Sequence, residues 1–214
     1  MLTAKRIVVG PLSTNCYVVY AEESGEGFVV DPGGDPQKII SFCQEMDLTI
    51  THILNTHGHF DHIGADNEIR EHTRATVYIH PLDAEMLGEP SLNYSLIYGQ
   101  AYRVTQYVPL EKMQLCLAGK VWEIIHTPGH SRGSICLVTD SWIFGGDLIF
   151  REGIGRTDLP GGSWEEMKES MISFFHRFQD DMIIFPGHGE RTTVGHERAN
   201  NYFVRQILRE GTRW

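Results

Sequence analysis

Within the segment Thr56-His57-Gly58-His59-Phe60-Asp61-His62, three imidazoles and one carboxylate fall inside six residues. Neutral imidazole and carboxylate are ligands of intermediate to hard character, suited to zinc, iron or manganese rather than to copper(I) or calcium. On extended backbone, side chains two positions apart leave the same side, so His57 and His59 can grip one ion. Asp61 and His62, where the chain turns toward a helix, then point to a position one step further along. The plainer alternative is a histidine-rich loop that holds no metal.

One cluster supplies four donors, so two ions would need partners from elsewhere. Three turns offer them: Thr127-Pro128-Gly129-His130, Gly145-Gly146-Asp147 and Pro186-Gly187-His188. Each follows an apolar run, and glycine lets the chain turn tightly so that the next side chain projects from a sheet edge. Singly, such a turn is weak evidence; with the first cluster, the three form one constellation. His52, His72, His80, His126 and His176 lack such a setting and read as core or surface residues. His196 opens a C-terminal helix soon after His188, and reads either as a supporting contact to the site or as ordinary packing.

The elements that must carry these donors are mostly strands. Short apolar, β-branched runs at 7–9, 16–20, 28–30, 52–54, 76–79, 114–117, 121–125, 134–138, 142–144 and 182–185 are bounded by Gly, Pro, Asp or Asn. Helices are expected at 35–46, 61–72, 163–178 and 193–209. Ser163-Trp164-Glu165-Glu166 has the form of a reciprocal capping box. Strands in both halves with helices between and after them imply sheets packed together with helices outside. No linker composition or fixed-period repeat divides the chain, so 1–214 reads as one domain.

Composition narrows the function. The 214 residues are 41% hydrophobic and 21% charged, as expected of a globular enzyme-sized domain. A formal charge of -10 argues against nucleic acid as a partner, because neutralising phosphates needs a basic face. No run approaches the roughly 18 apolar residues of a membrane span, and the N-terminus lacks the apolar region of a secretory signal. Cys16, Cys43, Cys116 and Cys136 show no CxxC spacing and read as reduced thiols of a cytoplasmic protein.

With its THGHFDH segment followed in order by His130, Asp147 and His188, the sequence resembles the metallo-β-lactamase superfamily, and within it the glyoxalase II-like hydrolases. The resemblance runs from about residue 15 to about residue 200. It implies a single-domain α/β fold, an αββα four-layer sandwich with metals at one edge between the sheets. It further implies that His57, His59 and His130 bind one metal, that Asp61, His62 and His188 bind a second, and that Asp147 bridges both. The cofactors expected are two divalent ions, zinc first, with iron or manganese as alternatives.

Two such ions would hold a water between them and depress its pKa, and Asp61 could orient it. A thiolate leaves without much general-acid help, which makes a thioester a natural substrate. The loop Gly153-Ile154-Gly155-Arg156-Thr157-Asp158-Leu159-Pro160-Gly161-Gly162 resembles those of short glyoxalase II-like proteins and of persulfide dioxygenases. Both handle glutathione-linked sulfur, which points to S-lactoylglutathione as the small-molecule partner. Arg156 is a candidate for holding a substrate carboxylate, with a salt bridge to Asp158 as the alternative. Longer glyoxalase II enzymes add a helical glutathione-binding domain. Here 26 residues follow His188, room for about one helix, and Gly189 stands where those enzymes have a tyrosine. The expectation is therefore a monomer without a separate glutathione-binding domain. The rival enzyme reading is a mononuclear iron persulfide dioxygenase acting on glutathione persulfide. Lactonase and β-lactamase activities rank lower, and a non-catalytic metal-binding scaffold is the reading from another class.

Overall fold

The structure is a computed structural model and describes residues 1–211. Strands β1 (Leu2–Val9) and β2 (Thr14–Ala21) pair antiparallel over their full length. Along β2, Tyr17 and Val19 enter one apolar cluster, while Val18 and Tyr20 enter another. With both faces covered, the strand reads as an unbroken apolar run, and a slip of one residue would exchange its two cores.

The first sheet continues through β3 (Glu26–Val30), β4 (Thr49–Leu54), β5 (Thr76–Ile79) and β6 (Val108–Pro109), in spatial order β1-β2-β3-β4-β5-β6. The pairings from β3 to β6 are parallel. Helix α1 (Pro36–Glu45), the short α2 (Phe60–Ile63), α3 (Asp66–Thr73) and α4 (Ala84–Gly88) lie between these strands in sequence. Ile39, Ile40 and Cys43 of α1, with Ile69 of α3, cover the outer face.

The second sheet contains β7 (Gln114–Leu117), β8 (Lys120–His126), β9 (Ile135–Val138) and β10 (Trp142–Gly146). A small hairpin follows, β11 (Ile149–Phe150) and β12 (Gly153–Ile154). Beyond α5 (Trp164–Arg177), strands β13 (Ile183–Pro186) and β14 (Thr192–Thr193) complete the order β14-β13-β10-β9-β8-β7. The chain then forms α6 (Val194–Asn200) and α7 (Tyr202–Gly211). Alternation again assigns faces. Ile135 and Leu137 meet the first sheet, while Cys136 and Val138 meet Met167, Met171, Phe174 and Phe175 of α5. The result is the expected helix–sheet–sheet–helix sandwich. Trp122 is fully buried between the sheets and donates its indole N–H to the Leu117 carbonyl at 3.2 Å. A tryptophan so placed is worth about 3–5 kcal/mol against alanine.

Four of the expected details differ from what is observed, and α4, β6, the β11–β12 hairpin and β14 were not expected at all. The single helix at 61–72 is two, because Ala65 N–H donates to the Pro32 carbonyl at 2.8 Å. The C-terminal helix is also two, because the Asn201 side chain accepts from Phe203 N–H and Val204 N–H and starts α7 afresh. Strand β1 begins at Leu2 rather than residue 7. At the head of α5, Ser163 Oγ accepts from Glu166 N–H at 3.3 Å, as expected. Its own N–H, however, donates to the Gly129 carbonyl, so the reciprocal half of the box is not made. No helix among the described residues is long and apolar enough to cross a membrane.

Candidate metal centre

All the donors singled out in the sequence meet at one edge of the sandwich. The His57–His62 segment leaves the end of β4, His130 follows β8, Asp147 follows β10 and His188 follows β13. The two glycines before the last two donors each meet a hard constraint. Gly146 takes φ 49°, and a Cβ there would lie 2.4 Å from Thr56 Oγ1. A Cβ on Gly187 would lie 2.1 Å from Asp147 Oδ1. Any larger residue at either position collides with the site.

The acceptors around the rings fix the imidazole tautomers. His130 Nδ1 lies 2.8 Å from the Arg156 carbonyl, which only accepts, so Nδ1 carries the hydrogen and Nε2 presents a lone pair. His62 Nδ1 donates to Asp31 Oδ2 at 3.0 Å, which directs Nε2 to the centre. Thr56 Oγ1 donates to Asp31 Oδ2 at 2.7 Å, leaving its own lone pair for His57 Nδ1 at 3.2 Å. Asp31 thus orients two of the rings. It was not singled out in the sequence.

The nitrogen and oxygen atoms left facing inward form adjoining groups. His57, His59 and His130 make one group; Asp61, His62 and His188 make another; His57, His62 and Asp147 make a third. Asp147 lies between the first two: Oδ2 is 3.5 Å from His130 Nε2 and 3.6 Å from His188 Nε2, while Oδ1 is 3.4 Å from His62 Nε2. His57 Nε2, His62 Nε2 and Asp147 Oδ1 are buried without a hydrogen-bond partner, and His59 turns Nδ1 to within 2.9 Å of His130 Nε2. Buried polar atoms of this kind are rarely left unpaired, and here several converge. No other histidine among the described residues joins them. His196 instead meets Glu152 at 3.0 Å, so the packing alternative holds for it.

Electrostatics match the geometry. Burial, and then the neighbouring imidazoles, push His57 well below the ordinary histidine range, so it stays neutral and able to donate a lone pair. His59 is lowered likewise by burial and then by His130. Burial opposes charge on His62, but the carboxylates of Asp61, Asp147 and Asp31 outweigh it and raise its pKa to about 10. Burial also opposes ionisation of Asp61, yet His62, His188 and the Thr14 hydroxyl hold it below the usual carboxylate range. A field that draws a proton onto a buried imidazole draws a dication more strongly, so the donor set fits divalent metal.

Two supports were missed in the sequence. Asp83, 1% exposed, accepts from Gly58 N–H at 3.1 Å, Ser131 Oγ–H at 2.6 Å and Gly133 N–H at 2.6 Å. It ties the His57/His59 loop to the His130 loop. At the second group, Thr14 Oγ–H donates to Asp61 Oδ2 at 2.9 Å. Asn15 holds the carbonyls of Pro186 and Gly189, on either side of His188. The spacing of metal donors gives no hint of either, because the partners lie far apart in sequence.

A cavity of about 430 Å³ opens over the centre, lined by His59, Asp61, His130, Asp147 and His188 and walled by Leu12, Phe60, Tyr94, Ile97, Phe150, Ile154 and Leu159. The 153–162 loop contributes Ile154, Arg156 and Leu159 to this wall. Arg156 stands at the cavity with its guanidinium forked onto Asp158 at 2.7 and 2.8 Å, the salt bridge that the sequence offered as the alternative. Arg191 lines a different cavity. A larger, more open cleft of about 1000 Å³ beside Arg70, Arg74 and Gln106 contains none of the clustered donors.

Comparison with known proteins agrees with this architecture. The family model described as metallo-beta-lactamase superfamily matches residues 9–188. The hydroxyacylglutathione hydrolase GloC of Haemophilus influenzae is 33% identical over 92% of this chain and 96% of its own. The crystal structure of the B3 metallo-beta-lactamase BLEG-1 superposes with a TM-score of 0.89, at 34% identity, over 95% of this chain and 99% of that one. The di-iron-bound form of TTHA1623 gives 0.83, at 33% identity, over 93% and 99%.

Proposed function

The chain belongs to the metallo-beta-lactamase superfamily, and from that premise we propose that it is a binuclear metal-dependent thioester hydrolase of the glyoxalase II type. Its substrate in this reading is a hydroxyacyl-glutathione such as S-lactoylglutathione, cleaved by water to the hydroxy acid and the free thiol. The observation that carries the reaction class is the pair of adjoining donor groups with Asp147 between them, beneath a cavity open to small molecules. The substrate class draws on the similarity to GloC along nearly the whole of both chains.

In this assignment His57, His59 and His130 would hold the first ion and Asp61, His62 and His188 the second, with Asp147 placed to serve either. Bound there, divalent metals supply Lewis acidity and a hydroxide nucleophile at neutral pH. Zinc, iron and manganese all suit these donors, and the di-iron form of a similar protein favours testing iron beside zinc. The chain's own residues do the rest. Asp61, kept ionised and pinned through one oxygen by Thr14, would accept a hydrogen bond from the attacking water and orient it. The apolar walls lower the polarity around the donors, which strengthens the electrostatics inside. A thiolate leaves without a proton, so a thioester demands least of the groups present.

The test is release of free thiol from S-lactoylglutathione by chain loaded with zinc or iron. Turnover at or above about 10⁴ M⁻¹s⁻¹ in kcat/KM supports the reading. Fully loaded chain that releases no thiol refutes it. The likeness to BLEG-1 favours a second reading, hydrolysis of a β-lactam amide at the same centre, which a chromogenic cephalosporin tests in parallel.

A further inference from the structure

Apolar side chains from three separate stretches of the chain converge on the cavity above the donors. Leu12 comes from the turn between β1 and β2, and Ile97 and Tyr98 from a 3₁₀ turn at Ser95–Tyr98. Phe150, Ile154 and Leu159 come from the β11–β12 hairpin and the loop after it. Leu12, Ile97 and Tyr98 are 38%, 74% and 50% exposed. One exposed apolar side chain on a surface needs no explanation, but several gathered on one concave wall mark a binding groove. This wall is tied to both donor groups. The Tyr98 ring packs on the buried ring of Phe60, with centroids 4.6 Å apart, and Phe60 directly follows His59. Phe60 N–H donates to the Asn93 carbonyl, which holds the start of the 3₁₀ turn to the donor loop. At the second group, the Phe150 ring stands edge-on to His188, with centroids 5.8 Å apart.

Charge is nearly absent from the wall. Apart from the donors, Arg156 is the one charged residue lining the cavity, and its guanidinium is forked onto Asp158. A thioester carbonyl that reacts at the donors has its acyl chain on one side and its thiol carrier on the other. Glutathione carries carboxylates and an ammonium, for which this wall holds no uncompensated partner. Desolvating those charges against apolar side chains is costly, whereas an alkyl chain gains free energy there. The acyl chain is therefore the part of the substrate that fits the wall, with the charged carrier left toward solvent.

We propose that Leu12, Ile97, Tyr98, Phe150, Ile154 and Leu159 form an acyl-chain site, which makes the preferred acyl group one with an alkyl tail longer than the methyl of lactate. The identity of that acyl group rests on the thioester hydrolase reading. The test compares thiol release by metal-loaded chain from S-lactoylglutathione, S-(2-hydroxybutanoyl)glutathione and S-(2-hydroxyhexanoyl)glutathione, so that carrier and hydroxy group stay constant. We expect kcat/KM to rise about threefold per methylene, or about thirtyfold across the series. Ile97→Ser, at a position whose exposure spares the core, should cut that gain to about tenfold or less, with metal content and melting temperature as in the native chain. A gain under about threefold across the series, or one that Ile97→Ser leaves unchanged, would overturn the proposal. If loaded native chain releases no thiol from any of the three, the functional reading fails, and calorimetry with acetohydroxamate and hexanohydroxamate then decides on the acyl-chain site. Binding of hexanohydroxamate tighter by about thirtyfold or more sustains it, and equal affinities overturn it.

Discussion

The two halves of the candidate metal centre are built differently. The first group, His57, His59 and His130, is a trio of buried rings, two of them driven toward the neutral form by burial. Its two loops are tied through one remote carboxylate, Asp83. The second group, Asp61, His62 and His188, is rich in charge, and the His188 side chain is 26% exposed. Its support comes from the start of β2, where Thr14 and Asn15 reach Asp61 and the carbonyls flanking His188. A neutral, enclosed trio depends on how well its loops are held, whereas a charged, more open one depends on the orientation of its carboxylate. Substitutions should therefore fail in different ways in the two halves.

The largest effect should come where the halves share a wall. Gly187→Ala drives a methyl group into Asp147 and His62, so both metals should be lost and activity should fall by about 10³ or more. Metal content per chain checks this. Asp83→Ala acts on the first half alone. It leaves Gly58 N–H and Gly133 N–H buried and unpaired, at about 2–3 kcal/mol, and should weaken one of two metal affinities by about 10–100-fold. Competition with a chelator would resolve one weakened ion from one native one; equal weakening of both would erase the distinction between the halves.

Thr14→Val acts on the second half and removes the hydroxyl that pins Asp61. We expect both metals to remain and kcat to fall about tenfold, within the range for loss of an orienting partner. The smallest effect concerns the frame behind both halves. Burial pushes the Cys136 thiol up to about 12 and the Cys43 thiol to about 11, and raises Cys16 well above the ordinary thiol value. The thiolate is the reactive form, so at pH 8 iodoacetamide should label exposed Cys116 and spare these three. Chelation should not change that pattern, because the cores that bury Cys16, Cys43 and Cys136 contain no metal donor. Rapid labelling of Cys16 or Cys136 after chelation would show that the metals hold the sandwich together.

The donors were legible in the sequence because each sits directly at a strand end in a glycine turn, a pattern that survives without knowledge of the partners. The strands were legible for a related reason: two covered faces make them continuous apolar runs. What holds the donors was not legible. Asp83 lies in a stretch without helical or strand periodicity, and its partners are 25 to 50 residues away. Asp31 looks like the start of a turn, and its task emerges only when Thr56 and His62 fold against it. The breaks at Ala65 and Asn201 were hidden because each depends on one hydrogen bond that periodicity does not record. Room for about one helix after His188 proved to be room for two short ones.

The most direct measurement is the metal content of purified native chain beside His57→Ala and His188→Ala, each reconstituted with the same excess of zinc. Two ions in the native chain and one in each variant, with thiol release from S-lactoylglutathione lost in both, is the result expected of two distinct sites sharing Asp147. One ion in the native chain and none in either variant would contradict it, making these residues the ligands of a single metal.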